Sequence, residues 1–159
     1  MKSIAITVCL MLLLVAAPLQ AQTLTDAQKA DIEKAVKGHV AQYLGAFEKI
    51  DLDAAIKFWS RDKLIGANGY GQNYTTIDTV MGFLVRMNKG KKEQKVDIKD
   101  VKVSILSPDM AVAYVTCNWK NILANGNVTN YIVALTEIWV KDSNVWKLAL
   151  ESGSSAAAQ

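Results

Sequence analysis

Residues able to carry polar chemistry are few in this chain of 159, which holds one histidine, His39, and two cysteines, Cys9 and Cys117. No two of them stand at metal-ligand spacing, so a metal centre of the His or Cys type is not expected. A Ser-His-Asp or Cys-His nucleophile system would have to run through His39. His39 precedes Tyr43 by four positions, so on a helix the two share a face. The plainer reading of His39 is a partly buried helix residue. Gly66-Ala67-Asn68-Gly69-Tyr70-Gly71 lacks the Lys and Ser/Thr of a phosphate-binding loop and reads as a flexible rim or a turn. No organic cofactor is expected either. What remains are aromatic and hydrogen-bonding groups. Tyr43, Trp59, Asn68, Tyr114, Asn118 and Thr136 are the candidates to line a mainly apolar ligand pocket. Asp62, Glu137 and Glu151 read as ordinary solvated or capping carboxylates.

The elements that must position these groups follow from hydrophobic period. Ile32, Val36, Val40, Tyr43, Leu44 and Phe47 recur every three or four residues, predicting a helix over roughly 25–49 that opens at Thr25-Asp26. Asp51-Leu52-Asp53 caps a short second helix that ends near Ser60. Lys63 to Ala67 could form a short strand. Thr75 or Thr76 caps a third helix carrying Ile77, Val80, Met81, Leu84, Val85 and Met87. Lys89, Lys91, Lys92 and Lys95 then read as a solvated linker.

From residue 95 the period drops to two. Val96 and Ile98 alternate in one phase and Val101, Val103 and Ile105 in the other, which predicts a bulge near Lys99-Asp100. Further strands are expected over 110–123, 128–141 and from Val145 to Ser152, joined by turns at Asn125-Gly126-Asn127 and Asp142-Ser143-Asn144. Helices followed by a meander give an α+β fold, a curved antiparallel sheet packed on three N-terminal helices and enclosing a cone. On the third long strand Tyr131 and Trp139 share a face opposite Ile132, Ala134, Thr136 and Ile138. With the aliphatic set turned to the helices, Tyr131 and Trp139 would form an outer aromatic stripe suited to homodimerisation.

The first residues have the three regions of an export signal: Lys2, an apolar run from Ile4 to Ala17, and Pro18-Leu19-Gln20-Ala21. The run is about 14 residues, short of the roughly 20 that span a bilayer, so no membrane span is expected. Residues 1–21 therefore read as a cleavable leader, 22–153 as one domain and 154–159 as a small, polar, fraying tail. Removing 21 residues from 159 leaves 138, and losing Lys2 takes the net charge from +3 to +2. That balance offers no nucleic-acid partner. Cleavage removes Cys9, so Cys117 is expected to be a buried, unpaired thiol.

Two stretches carry a resemblance. Tyr43-Leu44-Gly45-Ala46-Phe47-Glu48-Lys49-Ile50-Asp51-Leu52-Asp53 with Phe58-Trp59-Ser60-Arg61-Asp62, and Leu135-Thr136-Glu137-Ile138-Trp139 through Trp146-Lys147-Leu148, resemble the nuclear transport factor 2-like superfamily. The likeness is to its SnoaL-like and ketosteroid isomerase-like branch, and it implies a cone-shaped domain and frequent dimers. Laying the isomerase's first helix on this one brings its catalytic Tyr onto Tyr43. In the same register its base falls on Ala67, beside Asn68, and its protonated Asp on Thr136. Since Ala cannot take a proton, the leading expectation is an exported, periplasmic or secreted homodimer whose cavity binds a small apolar molecule without catalysis. One alternative is a cofactor-independent isomerase, dehydratase or cyclase-like enzyme, in which Tyr43, Asn68 and Thr136 polarise a carbonyl and Asp62 moves a proton. A protein-interaction module is the other.

Overall fold

The computed structural model describes residues 23–69 and 71–158. The expected leader, 1–21, lies outside them. Helix α1, Asp26–Glu48, starts with a capping box in which Thr25 and Gln28 each satisfy the other's backbone N–H, two of the donors that a helix start leaves unpaired. Its buried stripe runs Ile32, Val36, Val40, Tyr43, Leu44 and Phe47, as the sequence period requires. Helix α2, Leu52–Ile56, is capped by the Asp51 carboxylate on the N–H of Ala54. Helix α3, Ile77–Asn88, has a second capping box between Thr76 and Thr79.

Six strands form one curved, unclosed sheet: β1 Gly66–Gly69, β2 Gln72–Tyr74, β3 Lys91–Ser107, β4 Met110–Leu123, β5 Val128–Asp142 and β6 Val145–Ala157. Their order is β2-β1-β6-β5-β4-β3, and only the β1–β6 pair is parallel. The expected bulge is present as a register shift between Ile98 and Asp100, and further shifts lie at Lys91/Glu93, Ile105/Ser107 and Ile138/Trp139. Each bends and twists its strand locally, which is how a long sheet wraps around helices on one face. Gly66 makes the bend into β1 possible. Its φ is +143°, and a Cβ there would meet the carbonyl oxygen of Tyr74 at 2.6 Å.

Four sequence expectations need correction. Residues 154–157 are no frayed tail: Ser154, Ser155, Ala156 and Ala157 pair with Ala134, Val133, Ile132 and Tyr131. Their side chains are too small to signal a strand, but the unpaired edge of β5 supplies the backbone partners. Lys91, Lys92 and Lys95 are not linker but belong to β3, whose ladder on β4 begins at Lys91↔Leu123. The short strand expected over 63–67 sits further along, over Gly66–Gly69.

The fourth correction matters most for function. Trp139 is fully buried and Tyr131 packs against the core, whereas Ile132 on the opposite face is 48% exposed. The inner set on β5 is thus Tyr131, Val133, Leu135, Glu137 and Trp139. Two large aromatics plus Leu and Val remove more apolar area from water than Ile132, Ala134 and Ile138 would, and that gain outweighs burying one carboxyl. With this parity Thr136, Tyr114 and Asn118 lie on the outer face, with Tyr114 49% exposed.

Candidate functional site

A cavity of about 470 Å³ opens between the concave sheet face and helices α1 and α3, a size suited to a small organic ligand. Leu44 and Phe47 of α1 and Phe83 and Met87 of α3 form one wall; Trp119, Tyr131, Val133 and Leu135 form the other. Asn68 lies at its rim, and Glu151 reaches in from β6.

Strand register explains the carboxylates. Ala67 of β1 stands beside Glu151 of β6, Glu151 stands opposite Glu137 of β5, and Glu137 stands opposite Ala113 of β4. Paired residues point to the same sheet face, with Cβ atoms about 5 Å apart. The inner face therefore carries a row Ala67, Glu151, Glu137, Ala113, with two carboxyls side by side between two residues too small to crowd them. Glu137 is fully buried. One of its oxygens accepts a 2.7 Å hydrogen bond from the Trp139 indole N–H, and the other has no protein partner. Glu151 keeps some surface because it lines the cavity.

Burial raises the proton affinity of both. For Glu137 burial acts first and the charge of Glu151 adds to it, while the Trp139 N–H pulls the other way. For Glu151 burial raises the pKa and the Tyr43 hydroxyl opposes it. Two close carboxylates in a dry site do not both ionise readily, so the pair holds a proton well above the ordinary carboxylate range.

Tyr43 is buried behind the two carboxyls, outside the cavity lining. Its ring meets Phe47, Phe58, Trp59 and Trp139 edge-on, with centroids 5.1 to 6.5 Å apart. Its hydroxyl is within reach of Glu151 and the Trp59 indole but closes no well-formed hydrogen bond to either. Burial, then the charges of Glu151 and Glu137, push its pKa well up, so the hydroxyl stays a proton donor. His39 stacks on Trp139 at 6.0 Å. Burial, then Lys147, lowers its pKa, which keeps the ring neutral near pH 7.

Of the six residues predicted to line a pocket, the fold brings Asn68 to the rim, whereas Tyr43 and Trp59 are packed against each other in the core and do not line the cavity. Tyr114, Asn118 and Thr136 are excluded by the parity of β4 and β5, so Thr136 cannot polarise a bound carbonyl. Asp62 is exposed and is no candidate to move a proton. The residues sequence reasoning missed are Glu137 and Glu151. The available signal was that Glu137 shares its phase with Tyr131, Val133, Leu135 and Trp139. Cys117 is a free, buried thiol as expected, its pKa pushed up to about 11 by burial first. Among the described residues no three His, Cys, Asp or Glu side chains gather as a metal-binding group, and no helix is long and apolar enough to cross a membrane.

The domain pattern described as a SnoaL-like domain matches residues 36–158. The chain belongs to the SnoaL-like domain family. A comparison with curated protein sequences yields no match. Solved structures share the fold of this SnoaL-like domain. A protein provisionally assigned as a scytalone dehydratase from Novosphingobium aromaticivorans superposes with a TM-score of 0.75 at 8% identity, covering 85% of this chain and 93% of that one. A nuclear transport factor 2-like superfamily protein from Salmonella enterica gives 0.73 at 12% identity, over 82% and 95%. A hexachlorocyclohexane dehydrochlorinase from Novosphingobium barchaimii gives 0.70 at 13% identity, over 82% and 90%. Identities this low establish the architecture alone, so the reaction must be argued from the site.

Proposed function

We propose that this SnoaL-like domain is a cofactor-independent acid–base catalyst of elimination or isomerisation, acting on a small, mainly apolar molecule. Glu151 moves the proton, and the observation that carries this reading is its position. It lines the cavity on the strand next to Ala67, where the resemblance puts the isomerase's base. A carboxylate absent from one strand is thus offered by its neighbour. Burial tunes it towards neutrality, where a base is both ionised and strong enough to work. Glu137 holds the shared proton, and the buried Tyr43 hydroxyl behind Glu151 opposes the rise in that carboxyl's proton affinity. Two structural neighbours are described as a dehydratase and a dehydrochlorinase, both names for eliminations.

The test uses 5-nitrobenzisoxazole, a neutral aromatic that reports on buried carboxylate bases. The base removes its C3 proton, the C–H electrons complete a nitrile and the N–O bond breaks, releasing a coloured phenolate. We expect turnover above that of equimolar acetate, rising with pH through the neutral range as the pair loses its proton. Turnover no faster than acetate, or a rate that levels off near pH 4 to 5, as for an ordinary carboxylate, would overturn the assignment. Binding without turnover is the second reading, favoured by Ala67 itself, and the same assay separates the two.

Export and homodimerisation belong to this proposal. The leader-like segment supports export, and an intact mass lacking residues 1–21 would bear it out. The dimer surface moves to the outer face actually exposed, centred on Tyr114 and Ile132. Tyr114→Lys should shift sedimentation from two subunits to one, and a monomeric starting protein would rule the dimer out.

A further inference from the structure

The end of the cavity away from Glu151 has a chemistry of its own. Gln94 is buried and fully engaged: its amide N–H groups donate to Phe47 O at 2.9 Å and Asn88 Oδ1 at 2.6 Å, and its oxygen accepts from Trp119 Nε1 at 2.8 Å. That same oxygen accepts from Lys91 Nζ at 2.8 Å, and Asn88 Oδ1 lies 3.5 Å from the ammonium. Lys91 also sits over the Trp119 ring, 5.8 Å from its centroid. The ammonium is therefore fixed in place, half-buried, in the cavity wall.

No carboxylate neutralises it. Lys91 makes none of the ion pairs found among the described residues, and the only acid lining the cavity there is Glu151, at the other end. Lys89 lines the same rim, so that end is positive. Burial pushes Lys91 down to about 8, as befits a cation that lacks a counter-ion. Opposite Gln94 on β4, the buried Asn121 oxygen has no protein partner. Between the two ends the inward rows of β5 are apolar: Leu135, Val133, then Tyr131 opposite Trp119. From the Glu151 row to the Trp119 row is three steps of two residues, about 20 Å along the strand.

We propose that Lys91 anchors the carboxylate of an elongated apolar acid, whose body lies along β5 and whose far end reaches Glu151. A carboxylate fits better than a phosphate, because of the two lysines at that end only Lys91 is held by side-chain hydrogen bonds, and the neighbouring Asn88 and Gln94 oxygens are acceptors that repel a second negative charge. The function of Glu151 at the far end rests on the reading above; the anchor does not.

The test is calorimetric titration of the wild-type protein with 4-phenylbutyrate and with its neutral amide, 4-phenylbutanamide. We expect the acid to bind at least tenfold more tightly than the amide. Lys91→Gln should erase that preference, and Lys91→Arg, which keeps the charge, should retain most of it. Equal affinity for acid and amide, no binding of either, or an undiminished preference in folded Lys91→Gln would overturn the proposal. The acid and amide comparison on wild type needs no variant to fold. It also needs no turnover. Failure with 5-nitrobenzisoxazole would remove the catalytic role of Glu151 and leave the anchor standing, whereas failure here would remove only the anchor.

Discussion

Glu151→Gln is expected to lower turnover of 5-nitrobenzisoxazole by about 10²- to 10⁴-fold, the range supplied by a positioned general base, while making the fold more stable above neutral pH. The substitution keeps shape and hydrogen-bonding capacity but removes the only carboxyl that lines the cavity. The stability gain follows from the direction of the pKa shifts. Both carboxyls bind protons more tightly folded than unfolded. Above the ordinary glutamate value of about 4.3 the unfolded chain has released protons that the folded chain still holds, so stability falls as pH rises. The contribution is undiminished below that value and is lost until the folded pair has ionised. Each tenfold increase in proton affinity on folding costs about 1.4 kcal/mol at the alkaline end. Wild type should therefore lose urea resistance between pH 5 and pH 8, and Glu151→Gln should flatten that slope. A variant that keeps full turnover would remove Glu151 from the mechanism. A wild-type midpoint independent of pH would remove the buried proton.

The second large effect is on stability and centres on Trp139. Trp139→Ala removes a fully buried indole from a cluster with Tyr43 and His39, and should cost about 3 to 5 kcal/mol. Trp139→Phe is the more informative change. It keeps most of the packing but takes away the N–H that holds Glu137 at 2.7 Å, leaving a buried carboxyl without its donor. That loss should cost about 1 to 3 kcal/mol, more at pH 8 than at pH 5, because the indole N–H favours the ionised carboxylate. Urea titrations of both variants at the two pH values check this. If Trp139→Phe matched wild type at both, the hydrogen bond would be irrelevant to stability.

How much of this was legible in the chain differs by element. Thr25, Asp51 and the pair Thr75-Thr76, of which Thr76 is the cap, announce the helix starts because capping is a local exchange of hydrogen bonds within three or four residues. The bulge after Ile98 was legible because a one-residue insertion flips the alternation of Val96 and Ile98 against Val101 and Val103. The end of β6 was not, since Ser154, Ser155, Ala156 and Ala157 have little strand propensity and are held by backbone pairing with β5. The site divides the same way. Of the six expected pocket residues Asn68 lines the cavity, Tyr43 and Trp59 are buried behind its lining, and Tyr114, Asn118 and Thr136 were misplaced, since alternation says which residues share a face but not which face is inward.

The sequence by itself determined the three helices, the four long strands and their turns, the α+β class and the SnoaL-like resemblance, but not the short strand β2. All of these rest on interactions between residues close along the chain or on period alone. Tertiary structure decided the inward face of β5, the row that sets Glu151 beside Ala67 and opposite Glu137, and the meeting of Lys91 with Gln94 and Trp119. Apart from the local Lys91–Gln94 contact, those juxtapositions join residues from 14 to 84 positions apart. They were fixed by the larger apolar area of Tyr131, Leu135 and Trp139, which turned that face of the strand inward and carried a carboxyl in with it.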